Sequence, residues 1–139
     1  MSTDFFTAME VSASGLSAQR TRMNVAASNL ANAETTQAAG GGPYKRRDVV
    51  LATADLDPNG DQNIKGVKVS TIQQDQNPPR LEYDPGHPQA NAQGYVAYPN
   101  INPVEEMVDM ITASRAYEAG ITTMSSAVNM AEKALSIGK

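Results

Sequence analysis

One histidine, His87, stands in Pro85-Gly86-His87-Pro88, with Asp84 close before it. A histidine beside a carboxylate could do acid–base work. No Cys is present to act as a nucleophile, and no local Ser motif accompanies the pair. A histidine between prolines in a turn is more often an exposed spacer. Asp84 and His87 therefore carry only the alternative reading, a small soluble binding module or enzyme, and no catalytic residue is expected. One His with scattered carboxylates gives no ligand spacing, so no metal is expected either. Gly40-Gly41-Gly42 lacks the Lys-Ser/Thr of a phosphate-binding loop, and no cofactor site is expected.

Asparagines are the stronger polar signal. Asn24, Asn29 and Asn32 fall on or beside the end of a long apolar-striped segment. An Asn facing a helix seam must find amide partners, and those partners fix register. Alternatively, Asn32 is a left-handed C-cap while Asn24 and Asn29 face water. Spacing leaves both readings open. The basic run Lys45-Arg46-Arg47 reads as a solvated loop or strand start. Three phosphate contacts would bind nucleic acid only weakly, and the formal charge of −4 has the wrong sign for such a partner.

Two helices must position these groups. The first is expected from about Asp4 to Asn32, capped by Ser2, Thr3 or Asp4. Steps of four and three select Phe5, Met9, Ser12, Leu16, Gln19, Met23, Ala26 and Leu30, a coiled-coil-like seam. Gly15 either marks a close crossing or is merely tolerated, at a cost of about 1 kcal/mol in propensity. The second helix starts with Asn102 as N-cap, Pro103 as first helical residue and Glu105 placed as in a capping box. Glu105, Glu106 and Asp109 put negative charge at the positive end of its dipole. Its expected apolar line is Val104, Met107, Val108, Ile111, Tyr117, Ile121, Met124, Val128, Ala131 and Leu135, slipping by a residue near Ser114 to Tyr117. Gly138 and Lys139 read as a helix stop.

Between them, Gly40-Gly41-Gly42-Pro43 reads as a flexible joint. Lys45 to Ala52, Gly66 to Gln73, Pro79 to Tyr83 and Tyr95 to Tyr98 read as short strands. Asp57-Pro58-Asn59-Gly60-Asp61 and Asp84-Pro85-Gly86 read as turns. The larger apolar residues of this stretch, among them Val50, Val67, Ile72, Leu81, Tyr83 and Tyr95, suffice for one small core. The predicted class is α+β: N- and C-terminal helices paired as a coiled-coil-like layer, with a small β-rich middle domain. The expected divisions are 1–34, 35–100 and 101–139.

The chain has 139 residues, 40% of them hydrophobic, and the aromatic fraction is 5% with no Trp. No stretch is apolar for long enough to span a membrane. The first residues lack a basic and an apolar region, so a cleaved signal is not expected. One helix pair sharing one seam is marginal alone, and neighbouring subunits would cover its other faces. Termini mobile in the free protein and ordered in an assembly are expected.

Several segments resemble the bacterial flagellar rod–hook family. Asn24-Val25-Ala26-Ala27-Ser28-Asn29-Leu30-Ala31-Asn32-Ala33 is similar to its N-terminal Asn-rich signature, and Pro43-Tyr44-Lys45-Arg46 to the segment after it. Gly66-Val67-Lys68-Val69, Tyr83-Asp84-Pro85-Gly86-His87-Pro88 and Gly94-Tyr95-Val96 also match. So do Pro99-Asn100-Ile101, Glu106-Met107-Val108 and Ala113-Ser114-Arg115-Ala116-Tyr117. Tyr-Asp-Pro-Gly followed by Ser-Arg-Ala-Tyr narrows the resemblance to short, proximal-rod members. Glu34-Thr35-Thr36-Gln37 departs from the Asn-Thr-Thr-Gly-Tyr of many axial relatives, which argues against a hook or distal-rod protein.

The resemblance implies a structural subunit of the basal-body rod, polymerising through its terminal helices into a hollow drive shaft that carries torque to the hook. It implies type III export without a cleaved signal, assembly in the periplasm, and contact with itself, other rod proteins, the membrane-embedded ring and the export apparatus. Asn24, Asn29 and Asn32 would hold inter-helix amide contacts. Leu16, Met23 and Leu30 would pack on Met107, Ile111, Ile121 and Val128 of the same or an adjacent subunit. Arg115 and Tyr117 would sit at a subunit contact.

Overall fold

In the computed structural model, residues 2–56 and 64–138 are described, without the side chains at positions 2–4. The expected caps Ser2, Thr3 and Asp4 and the turn Asp57-Pro58-Asn59-Gly60-Asp61 therefore lie outside what is described. Two long helices bracket four strands: α1 Ser2–Ala31, β1 Arg47–Asp55, β2 Lys65–Gln74, β3 Arg80–Tyr83, β4 Tyr95–Tyr98 and α2 Pro103–Ile137. The class is α+β, and every expected strand is present within a few residues of its predicted bounds.

Helix α1 packs against α2 and against both strands of the first hairpin. Its expected seam faces α2: Ser12, Leu16 and Gln19 line a groove with Ala116, Gly120 and Thr123. A second line on α1 meets the hairpin, where the Ser14 hydroxyl accepts a hydrogen bond from the Val67 N–H at 3.1 Å. Gly66 lies there because a Cβ would come within 2.7 Å of that hydroxyl and 2.8 Å of Leu56. The contacts leave α1 exposed, from Glu10 onward, only at Glu10, Ala13, Ser17, Arg20, Asn24, Ala27 and Ala31.

Helix α2 starts as its sequence dictates. Pro103 needs no N–H at the first position, and the Asn102 side chain accepts from Val104 N–H at 3.1 Å. That bond reaches one residue short of the Glu105 N–H that a capping box would use. The line of α2 buried within the chain differs from the apolar line of the sequence. Glu106, Met110, Ala113, Tyr117, Gly120, Met124, Ala127 and Ala131 are buried or half-buried in unbroken steps of four and three. Val104, Met107, Val108, Ile111, Ile121, Val128 and Leu135 are exposed. Of the predicted line, only Tyr117, Met124 and Ala131 lie on the seam. Along this seam small residues stand between larger ones, Ala113, Gly120 and Ala127 between Met110, Tyr117 and Met124. A Cβ on Gly120 would sit 2.7 Å from Leu16 Cδ2. Gly15 has nothing within 4 Å of its Cβ position, so it is tolerated rather than required.

The strands form two antiparallel hairpins, β1–β2 and β3–β4, not one sheet. The β1–β2 register shifts between Val50 and Leu51, leaving Ser70 as the extra residue of a bulge. In β3–β4, Val96 is fully buried, while Leu81, Tyr83 and Tyr95 share the opposite, exposed face. The single core expected for the middle segment is therefore absent. Its larger residues, including Val50, Val67, Ile72 and Leu81, remain exposed because two-stranded ribbons cannot enclose one another. Burial concentrates instead where Ala33, Tyr44 and Ile101 meet, with Ala38 against them. The Gly-rich joint is a hydrogen-bonded turn: Ala38 N–H donates to Gly42 C=O at 2.8 Å, and Gly41 and Gly42 have φ of 82° and 73°.

Candidate functional site

The best-buried polar groups of the described residues are Asn29 and Glu106, each 1% exposed. They meet where the end of α1, the start of α2 and the strand entry Tyr44–Arg47 converge. Asn29 lies one step past Ala26 on the side of α1 that turns toward β1. Glu106 occupies the first position of the α2 seam, where every later member is neutral. Arg46 arrives from the segment leading into β1.

Asn29 uses its whole hydrogen-bonding capacity. Its Nδ2 donates to Arg47 C=O at 2.8 Å and to Glu106 Oε2 at 3.0 Å. Its Oδ1 accepts from Arg47 N–H at 3.0 Å and from the Tyr44 hydroxyl at 3.2 Å. The amide thus pairs with both backbone groups of Arg47, as a neighbouring strand would, and those partners dictate which end is nitrogen. The other Glu106 oxygen accepts from Arg46 Nε at 2.5 Å. Arg46 also contacts Asp48 at 2.9 Å and Asp109 at 3.8 Å. Burial opposes the Arg46 charge, but the Glu106 and Asp48 carboxylates outweigh it and its pKa is pushed up. No buried side-chain N or O among the described residues lacks a partner.

These contacts decide between the two readings of the asparagines. Asn29 bridges the helices. Asn24 is exposed on the open side of α1. Asn32 works locally: its Nδ2 donates to Ser28 C=O at 2.8 Å and its Oδ1 accepts from Thr35 at 3.1 Å. It closes the helix end without a left-handed φ, since among the described residues only glycines have positive φ. Of the basic run read as a solvated loop or strand start, Arg47 begins β1, Lys45 and Arg47 are exposed, and only Arg46 departs from the solvated reading, its side chain 21% exposed. Tyr44, Arg46 and Glu106 were missed as site residues. The signal for Glu106 was its place four before Met110, in phase with Ala113 and Tyr117.

The remaining expected residues separate into two groups. Leu16 and Tyr117 are used within the chain: Leu16 covers Gly120, and the Tyr117 hydroxyl accepts from Arg20 at 2.9 Å, with the guanidinium 5.7 Å from its ring. Met23 and Leu30 are half-buried on the same seam. Met107, Ile111, Arg115, Ile121 and Val128 are exposed, off the seam that carries Leu16, Met23 and Leu30. Asp84 and His87 form a turn, not a dyad. Asp84 Oδ1 accepts from Gly86 N–H at 3.2 Å, and His87 Nδ1 accepts from Gln89 N–H at 3.1 Å. No group of three or more His, Asp or Glu among the described residues could hold a metal ion.

Two long helices locked together at one end, with an open apolar side on α2, are the frame of a protein that assembles through its helices. The chain belongs to the family of flagellar basal-body rod proteins. The family model described as flagella basal body rod protein matches residues 9–38, and that of the flagellar basal body rod FlgEFG protein C-terminal matches residues 92–137. The chain is 44% identical to the flagellar basal-body rod protein FlgC of Bacillus subtilis, over 96% of this chain and 98% of the relative. It is 42% identical to FlgC of Borreliella burgdorferi, over 95% and 96%. To FlgC of Salmonella typhimurium it is 42% identical, over 94% and 95%. Among the described residues no helix is long and apolar enough to cross a membrane.

Proposed function

We propose that the chain is a non-enzymatic subunit of the proximal rod, polymerising through its terminal helices into part of the shaft that carries torque to the hook. The observation that supports this most directly is the open side of α2. Val104, Met107, Val108 and Ile111 are 66%, 45%, 57% and 52% exposed at i, i+3, i+4 and i+7 spacing. A contiguous apolar helix face of that kind marks a surface for another protein. Segments 1–34 and 101–139 would form the inner layer, and 35–100 the outer part. Export without a cleaved signal, assembly in the periplasm and contact with the ring, the export apparatus and other rod proteins complete the reading.

Within it, Met107, Ile111, Ile121, Val128 and Arg115 meet neighbouring subunits. Asn29 fixes the geometry from which those residues project. Asn24 lies at an open contact, and Asn32, Leu16, Met23, Leu30 and Tyr117 support it from within. The test is the double variant Met107→Glu, Ile111→Glu. It should keep the circular-dichroism spectrum of the parent, lose concentration-dependent association in sedimentation, and fail to restore motility to a strain lacking its own subunit. Full motility in that variant would overturn the proposal.

A further inference from the structure

An unpaired strand edge offers its N–H and C=O groups to another chain, and folded proteins guard such edges. Each of the four strands has one outer edge, and three of these are guarded. On β2 the Ser14 hydroxyl takes the Val67 N–H at 3.1 Å, the bulge at Ser70 breaks the line, and Lys65 and Lys68 add charge. β3 has only four residues and stands between Pro79 and Pro85. On β4 the Asn91 N–H donates to Tyr95 C=O and Asn91 Oδ1 accepts from Tyr95 N–H, both at 2.9 Å. The edge of β1 is different. Asp75 N–H donates to Arg46 C=O at 2.8 Å, and Leu56 N–H to Ile64 C=O at 3.1 Å. Between those two rungs, Arg47, Val49, Leu51, Thr53 and Asp55 turn N–H and C=O away from β2. Asn29 fills the outward rung at Arg47. No described residue pairs with the outward groups of Val49, Leu51 or Thr53. That stretch has no Pro, no Lys and no bulge of its own.

We infer that the free edge of β1 is a strand-addition site, where an extended segment of a different protein joins the ribbon as an antiparallel third strand. A groove of about 260 Å3 lies beside it, with Val49 and Leu51 on the ribbon side and Val25 and Ala26 on the helix side. Its charged residues are Arg22, Arg47, Asp48, Glu106 and Asp109. Both signs are present, so the occupant is read by backbone pairing and apolar side chains, not by net charge. Alternate side chains of the incoming strand fall beside Val49 and Leu51, which calls for a segment with apolar residues at every second position. A second copy of this chain is the wrong occupant. Its guarded edges leave it only its own β1 to offer, and two β1 edges would meet about a two-fold axis and close a dimer. On the rod-subunit reading, copies in the shaft all point one way and have no such axis between neighbours.

The probe is the peptide Lys-Thr-Val-Thr-Val-Thr-Val-Thr-Lys, added to the dilute full chain and read by amide exchange in NMR. With its valines beside Val49 and Leu51, the valine N–H groups face β1 and the threonine N–H groups face away. Two further peptides are N-methylated, one at the valines and one at the threonines, and all three carry the same charge. The expected result is that saturating peptide slows exchange of the Leu51 and Thr53 N–H groups severalfold. Methylation at the valines should abolish the effect, and methylation at the threonines should preserve it. Thr53→Pro removes one outward N–H and no hydrogen bond of the ribbon, so it should weaken binding. The methylated peptides test the parent chain and need no variant. Equal behaviour of the two methylated peptides, protection at Val67 or Leu81 in place of β1, or no protection at saturating peptide would overturn the site. So would protection of Leu51 and Thr53 that rises with the concentration of the chain alone, since that is β1 pairing between copies. The Met107→Glu, Ile111→Glu variant keeps this edge and should bind the peptide as the parent does, which separates loss of this site from loss of the rod-subunit reading.

Discussion

Asn29 has four hydrogen-bond partners and Glu106 has two, in a place that holds no other charge pair so deeply buried. Removing one member of a buried ion pair leaves the other uncompensated, at about 3–5 kcal/mol. Arg46 keeps Asp48 and Asp109 and is part-exposed, so Glu106→Ala should cost less than that, about 1–3 kcal/mol in urea denaturation for the Arg46 and Asn29 donors left without their acceptor. Replacing both partners, Arg46→Met with Glu106→Leu, should recover only the part due to the stranded guanidinium, since Asn29 Nδ2 still lacks its Glu106 acceptor. Asn29→Ala exposes the opposite weakness. It strands Arg47 N–H and C=O, at about 1–3 kcal/mol for the group left unpaired. Asp75 gives a smaller, pH-dependent test. Hydrogen bonds from Asn77 N–H and the Asn77 side chain hold its carboxyl below the ordinary range. The stabilisation is present above the unfolded-state pKa and is lost as pH falls through the folded one. An NMR titration should show an acid-shifted Asp75 that returns toward the ordinary value in Asn77→Ala.

At the scale of the element, the helix pair turns on two glycines with opposite roles. Gly120→Ala drives a Cβ into Leu16 and should destabilise the pair, by about 1–3 kcal/mol for an overpacked contact. Gly15→Ala meets open space and should stabilise by about 0.5–1 kcal/mol. Thermal melts of the two variants should move in opposite directions. How far the sequence revealed these elements follows from the same physics. Periodicity found both helices, and Asn102-Pro103 placed the start of α2 because capping chemistry is local. Gly-Pro and Asp-Pro punctuation placed the strands. The large apolar line of α2 read from the sequence is not the line buried within the chain. A helix closely crossing another buries Ala113, Gly120 and Ala127 and leaves Ile111 and Ile121 outside. The polar lock stayed hidden for another reason. A carboxylate four residues into a helix is a common partner of the dipole. Only tertiary structure brings Arg46 to Glu106, across 60 residues.

For the whole molecule, the open faces imply that stability depends on concentration. Anything that binds the folded form alone raises its apparent stability. The free subunit should show fast amide exchange along both helices, with protection rising steeply once copies associate. Equal protection in dilute and assembled samples would argue against that dependence. The polar lock also governs timing. Asn29 meets its carboxylate 77 residues further along the chain, and the two long helices touch only through such distant pairs. Closing so large a loop comes before any reward from the contact, which slows folding. On the ribosome, Arg46 and Asn29 emerge long before Glu106 does. Until α2 is made, the first helix thus has only the β1–β2 hairpin to settle against, and a nascent chain halted before residue 106 should be digested by protease more readily than the full chain.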